Sequence, residues 1–545
     1  MSNTASQWIV IIVLTVLTAA TLSSADRKDW NAGDGLWYHG HNWLPEGIPD
    51  GFDDVYIGVL TSSPRVVLSS AVNESASNVT MTNGSELSVH ANSILNVANT
   101  LDVDDASGSD THLVVASGGI VNARTLNLHN GAWMEFGWDR GDVNIDNQLD
   151  VHSDSRIEGL GAIRLYGTNS RALQLAGTLR PTGDIGITIT CHGTTSVDLD
   201  GSSGGDSHID VTSTGTKLDV DGDLADPFSG VMDIADGCSA IIRSHWEFDG
   251  TINLGSNASG YADLSGAGYT ITARGNLNAP ADADARVLGP VAFESAAHVN
   301  VATGADLRLE GHTSYSGGTY DGSGDLIQNG DVTVLSNTTI NTYRYDWDGD
   351  AGDTVTTVND GADFILSSTR FSALGRGYDG TTNIHGALNV DGGEWYMLGK
   401  LHLDRTGTDY PSVHGSTMVV TSGAGEGLIA DGGACRIYCP VVFENGSTSP
   451  NFGARLELRG ATTFKGGSHT GLGTLVQIAD ATVETDTTIW TAVYDWDGGS
   501  GTTNTVIEED ARFTLRCSSL EPTADDGYDG TVTVNHNAVL DVDTA

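Results

Sequence analysis

Residues 79–103, VTMTNGSELSVHANSILNVANTLDV, carry the pattern that decides the fold. Short apolar bursts such as Val79-Thr80-Met81 and Leu87-Ser88-Val89 alternate one residue in two, and Gly, Asn, Ser or Asp ends each burst. Period-two alternation with a turn about every eight to twelve residues is typical of short β-strands. The pattern runs from residue 65 to residue 137. Three such strands would form one coil of about 20 to 25 residues, the length of a solenoid repeat.

The composition also favours an all-β chain. The sequence holds 70 Gly but only 11 Pro, and Val, Thr, Asn, Asp and Ser are abundant while Lys is scarce. β-Branched residues prefer strands, and Gly, Asn and Asp prefer tight turns. The chain is therefore expected to contain many short strands joined by turns.

Longer segments recur at an offset of 149 or 150 residues. A second marker, an aromatic residue followed by Asp-Gly-Thr, begins at Phe248, Tyr378 and Tyr528, so a partial earlier copy precedes two clear ones. Repeats that recur in this way favour stacked units, each covering the apolar face of its neighbour. The recurring pairs are Pro290–Glu294 with Pro440–Glu444, Leu307–Gly311 with Leu456–Gly460, Gly322–Gln328 with Gly471–Gln477, Thr338–Ile340 with Thr487–Ile489, and Tyr345–Gly349 with Tyr494–Gly498.

We therefore predict an all-β fold, an elongated parallel β-solenoid (β-helix) built from tandem repeats. A tandem array of small β-sandwich domains remains the alternative, because evenly spaced short strands also describe sandwiches. The expected divisions are a signal peptide at 1–25, an N-terminal β-solenoid region at 26–286 with a partial divergent repeat near its end, repeat copy 1 at 287–436 and repeat copy 2 at 437–545. The counterpart of Trp395–Leu401 does not follow in copy 2, so we expect that copy to be truncated.

The N-terminal segment has the pattern of a secretory leader. Trp8–Ala20 is continuously apolar, and the small residues Ser23-Ser24-Ala25 follow it. Thirteen residues fall short of the roughly 20 that a membrane-spanning helix needs. We expect cleavage after Ala25, an extracellular or cell-surface location, and no transmembrane segment beyond the signal peptide.

Charge and cysteine content limit the possible partners. The formal net charge is −46, which repels nucleic acid and anionic membranes, so no nucleic-acid partner is expected. The excess of carboxylates suits either a solvated surface at high ionic strength or a row of cation sites. Five cysteines are too few for a disulfide-built scaffold, although Cys435 and Cys439 could close a small loop if a turn lies between them.

The acidic turns are the best candidates for a metal site. A hard cation such as Ca²⁺ needs several oxygen ligands, and alternate residues of a tight turn can supply them. The predicted ligands are Asp346, Asp348, Asp350 and Asp353 in copy 1 and Asp495 and Asp497 in copy 2. The simpler interpretation is that turns favour Asp and Gly for conformational reasons. If these turns do bind a cation, Ca²⁺ is the expected cofactor, in a stabilising role.

Two aromatic pairs accompany those turns. Tyr345 and Trp347, with their counterparts Tyr494 and Trp496, could stack on sugar rings and form a carbohydrate-binding array. Their recurrence equally predicts aromatic residues buried in each repeat. Solvent-facing tryptophans would favour sugar binding, whereas buried ones would favour a scaffold.

The sequence resembles the large secreted bacterial β-helical repeat proteins, of the autotransporter-passenger and planctomycete surface-protein types. The resemblance rests on Trp30–Gly58 (WNAGDGLWYHGHNWLPEGIPDGFDDVYIG) and on the unit GG(T/S)x(D/T)GxGxL(I/V)Q at 317–328 and 466–477. It implies a β-helical surface or adhesin protein and extracellular polysaccharide or cell-envelope components as partners. It implies no particular reaction.

We therefore expect a non-catalytic, structural or adhesin-like repeat protein with no catalytic residues. The first alternative is a β-helical polysaccharide-active enzyme, a lyase or glycosidase, because carboxylates on one face of a coil could flank a glycosidic bond. Such an enzyme predicts an exposed groove that holds two or more carboxylates within about 10 Å of each other. The second alternative is the carbohydrate-binding array.

Overall fold

The computed structural model describes residues 26–61, 63–200, 207–255, 260–347, 354–368, 378, 380–392, 394–421, 427–496, 503–520 and 530–543. The predicted signal peptide, 1–25, lies outside these residues. The described chain is all-β with essentially no helix, and its parallel sheets form a β-solenoid of about 20 turns. The predicted solenoid is confirmed, and the alternative of separate β-sandwich domains is wrong. The described residues up to 200 belong to one compact unit, unit 1, and those from 207 onward belong to a second, unit 2.

Unit 1 contains strands β1 to β17 and a short 3-10 helix, Gly40–Asn42. The strands are β1 Arg27–Trp30, β2 Gly35–Leu36, β3 Trp43–Leu44, β4 Asp54–Ile57, β5 Arg65–Leu68, β6 Asn73–Ala76, β7 Asn78–Met81, β8 Glu86–Val89, β9 Ile94–Asp104, β10 His112–Val115, β11 Ile120–His129, β12 Trp133–Val151, β13 Arg156–Leu165, β14 Leu173–Leu175, β15 Thr178–Pro181, β16 Ile187–Cys191 and β17 Ser196–Asp198.

Three parallel runs of strands make up the faces of unit 1. One run is β5, β8, β10, β12, β13 and β15. The second is β6, β9, β11, β12, β13 and β16. The third is β4, β7, β9, β11, β12, β14 and β17. The long strands β9, β11, β12 and β13 each belong to more than one run, because they pass around a corner of the coil.

Aliphatic residues stacked in register fill the interior of unit 1. Since alternate residues of a strand point to opposite faces, every second side chain of each burst enters the core. Burial of each such side chain stabilises the fold by about 1.5 to 3 kcal/mol before the entropy of folding is counted. In the first run the inward residues Val66, Leu87, Leu113, Met134, Ile157 and Leu179 are aligned and almost completely buried.

Asparagines stack in a similar way on the outer surface of the second run. The Asn96 amide donates to Asn73 Oδ1 at 2.6 Å, Asn122 donates to Asn96 at 2.8 Å, and Asn144 donates to Asn122 at 2.7 Å. A side-chain amide carries both donors and an acceptor, so each one can bond to the next coil without a partner of another type. The outer face is therefore ordered as well as the core.

Unit 2 contains strands β18 to β56. They are β18 His208–Val211, β19 Lys217–Asp221, β20 Asp223–Leu224, β21 Val231–Ile234, β22 Ser239–Ile242, β23 Trp246–Phe248, β24 Thr251–Leu254, β25 Ala262–Ser265, β26 Ile271–Ala273, β27 Asn276–Ala279, β28 Asp284–Leu288, β29 Val291–Phe293, β30 His298–Val301, β31 Asp306–Leu309, β32 Thr313–Ser316, β33 Thr319–Gly322, β34 Asp325–Gln328, β35 Val332–Ser336, β36 Thr338–Asn341, β37 Arg344–Asp346, β38 Val355–Val358, β39 Asp363–Leu366, β40 Thr381–Ile384, β41 Ala387–Val390, β42 Trp395–Met397, β43 Lys400–Asp404, β44 Ser412–Gly415, β45 Met418–Thr421, β46 Leu428–Asp431, β47 Ala434–Ile437, β48 Val441–Glu444, β49 Thr448–Pro450, β50 Arg455–Leu458, β51 Thr462–Gln477, β52 Ala481–Asp495, β53 Asn504–Ile507, β54 Arg512–Leu515, β55 Thr531–Val534 and β56 Val539–Val542.

Parallel stacking also builds unit 2. Strands β23, β26, β29, β32, β35, β38, β40, β43, β46 and β49 form one sheet of ten strands. A second run passes from β18 through β21, β24, β27, β30, β33, β36, β39, β41, β44, β47 and β50 to β51. Val291 is aligned with Thr313, so this coil takes 22 residues, within the range that the sequence predicts.

Aromatic rings enter the core of unit 2 at corresponding positions of the two repeat copies. Phe293 stacks on Tyr315 with ring centroids 5.6 Å apart, and Phe443 stacks on Phe464 at 5.4 Å. The repeat boundaries that the sequence predicts at 286 and 436 both fall within this unit and stay predictions. No membrane-spanning helix is found among the described residues.

Candidate functional site

The predicted calcium ligands are only partly within the described residues. Asp348, Asp350, Asp353 and Asp497 lie outside them. Asp346 is buried, and neither of its carboxylate oxygens has a hydrogen-bond partner among the described residues. Asp495 is also buried, and Arg455 Nη2 donates to its Oδ2 at 3.5 Å. Within the described ranges, no three His, Cys, Asp or Glu side chains are grouped as a metal site would require.

The predicted sugar-binding aromatics lie inside the coils. Tyr345 and Tyr494 are fully buried, Trp347 is 1% exposed and Trp496 is 8% exposed. The Trp347 ring lies 4.5 Å from that of Tyr378, centroid to centroid. A sugar could therefore reach these ring faces only if the coil opened.

Asp105 shows what an acidic turn residue does in the described chain. Its carboxylate accepts hydrogen bonds from the backbone N–H groups of Ser109 and Asp110 at 2.8 and 3.0 Å, and from the Thr111 hydroxyl at 3.2 Å. These bonds close the turn before β10. Asp side chains commonly replace missing backbone partners in this way. At this turn, conformation explains the Asp without a cation.

A groove in unit 1 is the best candidate for a functional site, and it arises from unequal corner lengths. Counted from the residue after one aligned position up to and including the next aligned position, the corner takes residues 137–141 in β12, only 160–161 in β13, and 182–187 in the coil that follows. The coil in the middle is therefore recessed between two longer corners. The recess is a cavity of about 330 Å³.

Glycines make the short corner possible. Gly159 has φ +111°, a conformation that residues with a Cβ rarely adopt, and a Cβ there would lie 2.0 Å from the Phe136 carbonyl oxygen. A Cβ on Gly161 would lie 2.2 Å from the Phe136 ring. The sequence Glu158-Gly159-Leu160-Gly161 therefore specifies the floor of the groove.

Two aromatic residues, Phe136 and Trp138, and two carboxylates line this groove. Trp138 lies on the 137–141 corner, one of the two longer corners, and is 98% exposed. Glu135 and Glu158 are aligned on β12 and β13, neighbouring strands whose backbones lie about 4.8 Å apart. Leu160 and Thr182 contribute an apolar and a hydroxyl surface. The groove thus combines an exposed indole face with hydrogen-bonding acids.

The two carboxylates are in different electrostatic environments. Desolvation, and then repulsion from Glu158, raises the pKa of Glu135, while coulombic interactions with His112 and Arg156 oppose the shift. Glu158 Oε2 lies 3.4 Å from Arg156 Nε, so this carboxylate has a cationic partner on its own strand. Glu135 therefore holds a proton to higher pH than an ordinary glutamate does.

A column of side chains next to the groove keeps its strands in place. The His112 ring stacks on Trp133 with centroids 4.7 Å apart, and the Arg156 guanidinium lies 4.4 Å from the Trp133 ring centroid. Glu86 completes the column, with Oε2 3.6 Å from His112 Nε2. Stacking and cation–π contacts of this kind contribute about 0.5 to 1 kcal/mol each at exposed sites.

The cysteines carry no comparable chemistry. Cys435 and Cys439 are both free thiols, so the small loop that a disulfide between them could close does not form. Desolvation by burial raises the pKa of both thiols to about 12, so thiolate is scarce at neutral pH.

The sequence interpretation missed Trp138, Glu135 and Glu158. They occupy ordinary positions of a strand pattern, and the groove becomes visible only when successive coils are aligned and their corner lengths are compared. The segment 156–165, RIEGLGAIRL, does contain the signal, because it passes around the corner with two glycines and only one intervening residue.

Comparison with known proteins leaves the chain without an assigned family. No protein-family model matches the sequence, and no curated protein is significantly similar to it.

Proposed function

We propose that the protein is a secreted or cell-surface scaffold with an adhesin-like, non-catalytic role. The observation that carries the proposal is the ordered outer face, in which Asn73, Asn96, Asn122 and Asn144 repeat the same hydrogen bond from coil to coil. A solenoid with a bonded exterior presents side chains at fixed spacings, which suits repeated weak contacts with a surface. The predicted leader at 1–25 and the charge of −46 support an extracellular location and a well-solvated chain.

Calcium would stabilise this scaffold if the acidic turns around Asp346 and Asp495 hold it. Cation binding to the folded state alone raises the midpoint of thermal unfolding. The midpoint should therefore fall when EDTA is added and recover with excess Ca²⁺. An unchanged midpoint would remove calcium from the proposal and leave the scaffold role intact.

One observation favours a second function, polysaccharide hydrolysis. Glu135 and Glu158 are a carboxylate pair on adjacent strands, one with a raised pKa and the other beside an arginine. Glycosidases use such a pair as acid and as nucleophile or base. The backbones of Glu135 and Glu158 are about 4.8 Å apart, a spacing that allows the two carboxylates to lie within about 10 Å of each other.

A single experiment separates the two functions. Beads coated with the purified protein are tested for adhesion to immobilised cell-envelope polysaccharides, with albumin-coated beads as the control. The free protein is incubated with the same polysaccharides, and new reducing ends are measured. The scaffold predicts adhesion without turnover. Turnover that is lost in Glu135→Gln would establish the hydrolase instead. A result that shows no adhesion and no turnover would exclude both functions.

A further inference from the structure

We propose that the groove between residues 137–141 and 182–187 binds a neutral polysaccharide chain, with a sugar ring stacked on Trp138 and its hydroxyls bonded to Glu135 and Glu158. The inference rests on the proposed adhesive function and names the ligand class that one surface would take. None of the residues that the sequence predicts as ligands takes part in it.

The dimensions of the groove select an extended ligand. Its two walls belong to coils on either side of the recessed one, so their backbones are separated by two strand spacings, about 9.5 Å. An α-helix with its side chains is about 10 to 12 Å across and does not fit between such walls. A single polysaccharide chain is narrower and can lie along the floor formed by Gly159 and Leu160.

The exposure of Trp138 is the second argument. A lone apolar residue on a protein surface needs no explanation. Trp138, however, lies at the edge of a cavity whose floor includes Leu160 and the buried Phe136, so an apolar surface continues from the indole into the recess. The apolar C–H face of a pyranose packs on an aromatic ring as other apolar surfaces do. The indole and the floor together cover one ring.

Charge decides which polysaccharides are accepted. Among the described residues that line the cavity, Glu135 and Glu158 are the charged ones and both are acids. Arg140 on one wall is paired with Asp142, and Arg156 is paired with Glu158. An ionised carboxylate accepts hydrogen bonds from sugar hydroxyls, and charge-assisted bonds of this type are about twice as strong as neutral ones. The same acids, within a chain of net charge −46, repel uronates and sulfated sugars. The ligand is therefore neutral and rich in hydroxyl groups.

The test is isothermal titration calorimetry of the full protein with neutral hexasaccharides, namely cello-, xylo- and mannohexaose, and with hexagalacturonate as the acidic counterpart. We expect at least one neutral hexasaccharide to bind and hexagalacturonate not to bind. Trp138→Ala should weaken binding by about tenfold or more, since a buried aromatic anchor dominates such contacts. Trp138→Phe should retain part of the affinity.

Trp490→Ala is the matched control. Trp490 is 62% exposed on β52 in unit 2, so its replacement by alanine also removes an exposed indole. It is not a residue of the groove. Both variants should unfold at the midpoint of the parent protein because neither indole is packed in a core. Equal affinity in Trp138→Ala and Trp490→Ala would overturn the proposal, as would binding of hexagalacturonate at the groove. Absence of all hexasaccharide binding would also overturn it, while bead adhesion would still support the scaffold.

Discussion

Corresponding coils of the two repeat copies carry outward-facing charges of opposite sign. The triad Asp306, Arg308, Glu310 in copy 1 stands 149 residues before Arg455, Glu457, Arg459 in copy 2. Both triads alternate with the same buried leucines, at 307 and 309 and at 456 and 458. The sheet therefore requires the inward leucines and neighbouring charges of opposite sign, but not a particular charge at a particular position.

The consequences of the reversal differ between the copies. In copy 2, burial disfavours ionisation of Glu457, but hydrogen bonds from Arg455 at 2.9 Å and Arg459 at 2.6 and 2.8 Å outweigh it, and the pKa of Glu457 is lowered. In copy 1, desolvation and repulsion by Asp325 raise the pKa of Asp306. In copy 2, one glutamate thus accepts hydrogen bonds from two arginines. In copy 1, Arg308 and Asp306 lie 3.6 Å apart, beyond hydrogen-bond distance.

The interiors of the same coils differ as well. Tyr315 and Tyr320 of copy 1 correspond to Phe464 and His469 of copy 2. The Tyr315 hydroxyl donates to Gln328 Oε1 at 3.4 Å, whereas the corresponding oxygen of Gln477 has no partner among the described residues. The side-chain oxygen of this buried glutamine thus accepts a hydrogen bond in copy 1 but has no partner among the described residues in copy 2.

The largest expected difference between the copies is acid sensitivity at His469. This ring is fully buried between Phe443 and Phe464, and its Nδ1 lies 3.3 Å from the Thr448 hydroxyl. Desolvation lowers its pKa from 6.5 to about 3. The unfolded chain therefore binds the proton first as pH falls, and the free energy of unfolding drops by about 1.4 kcal/mol for each pH unit between about 6.5 and 3. This contribution is fully present above pH 6.5.

Thermal unfolding of His469→Phe between pH 7 and 4.5 measures that effect. All carboxylates titrate in both proteins, so the difference between their pH profiles isolates the histidine. The variant should lose less stability on acidification than the parent does, and Tyr320→His should introduce the same sensitivity into copy 1. Parallel profiles for parent and His469→Phe would show that the ring is accessible to protons in the folded state.

The second difference concerns the charged triads. Glu457→Gln should lower the free energy of unfolding by about 2 to 3 kcal/mol, because hydrogen bonds to charged groups are lost and partly buried arginines keep their charge. Arg308→Gln should cost less than about 1 kcal/mol through its pair with Asp306, since that carboxylate lies farther from its arginine and is more exposed than the carboxylate of Glu457. Chemical denaturation of both variants at pH 7 checks the ranking. Equal losses would mean that the arginines around Glu457 contribute no more than a surface pair does.

The smallest difference is one hydroxyl group. Tyr315→Phe should cost about 1 kcal/mol, because it leaves Gln328 Oε1 unpaired as Gln477 Oε1 is. Phe464→Tyr should stabilise copy 2 by up to about 1 kcal/mol if the new hydroxyl reaches Gln477. The two substitutions exchange the copies at this position, and their effects on unfolding should have opposite signs. A destabilising Phe464→Tyr would show that copy 2 lacks room for the oxygen.

The sequence predicted the fold because the stacking interaction repeats. Bursts such as Leu87-Ser88-Val89 show which residues face inward, and the offset of 149 or 150 shows that units recur. Both signals are read directly from the sequence and require no knowledge of contacts in space. The parallel coils and the coil length of 22 residues follow from them.

The groove could not be predicted from the same signals. It depends on the difference in length between corners at 137–141, 160–161 and 182–187, so the short corner within 156–165 gains its meaning only when the coils on either side are aligned with it. Burial of Asp346 was also unexpected, because it directly follows the inward-facing Tyr345 and strand alternation would place its side chain outside. Strand periodicity identifies the core of each coil, but the environment of an outward residue depends on what other segments lie over it.

The short corner at Gly159-Leu160-Gly161 implies that a concave surface could be formed at another coil of such a chain without a change in the core. The aligned residues on either side of the corner keep their partners in the coils above and below, so the loss of a few residues alters the exterior alone. A protein engineer could shorten a different corner of unit 1 with the same Gly-x-Gly sequence and obtain a new recess there. Natural variation by small deletions could generate diverse surfaces on an unchanged core by the same route.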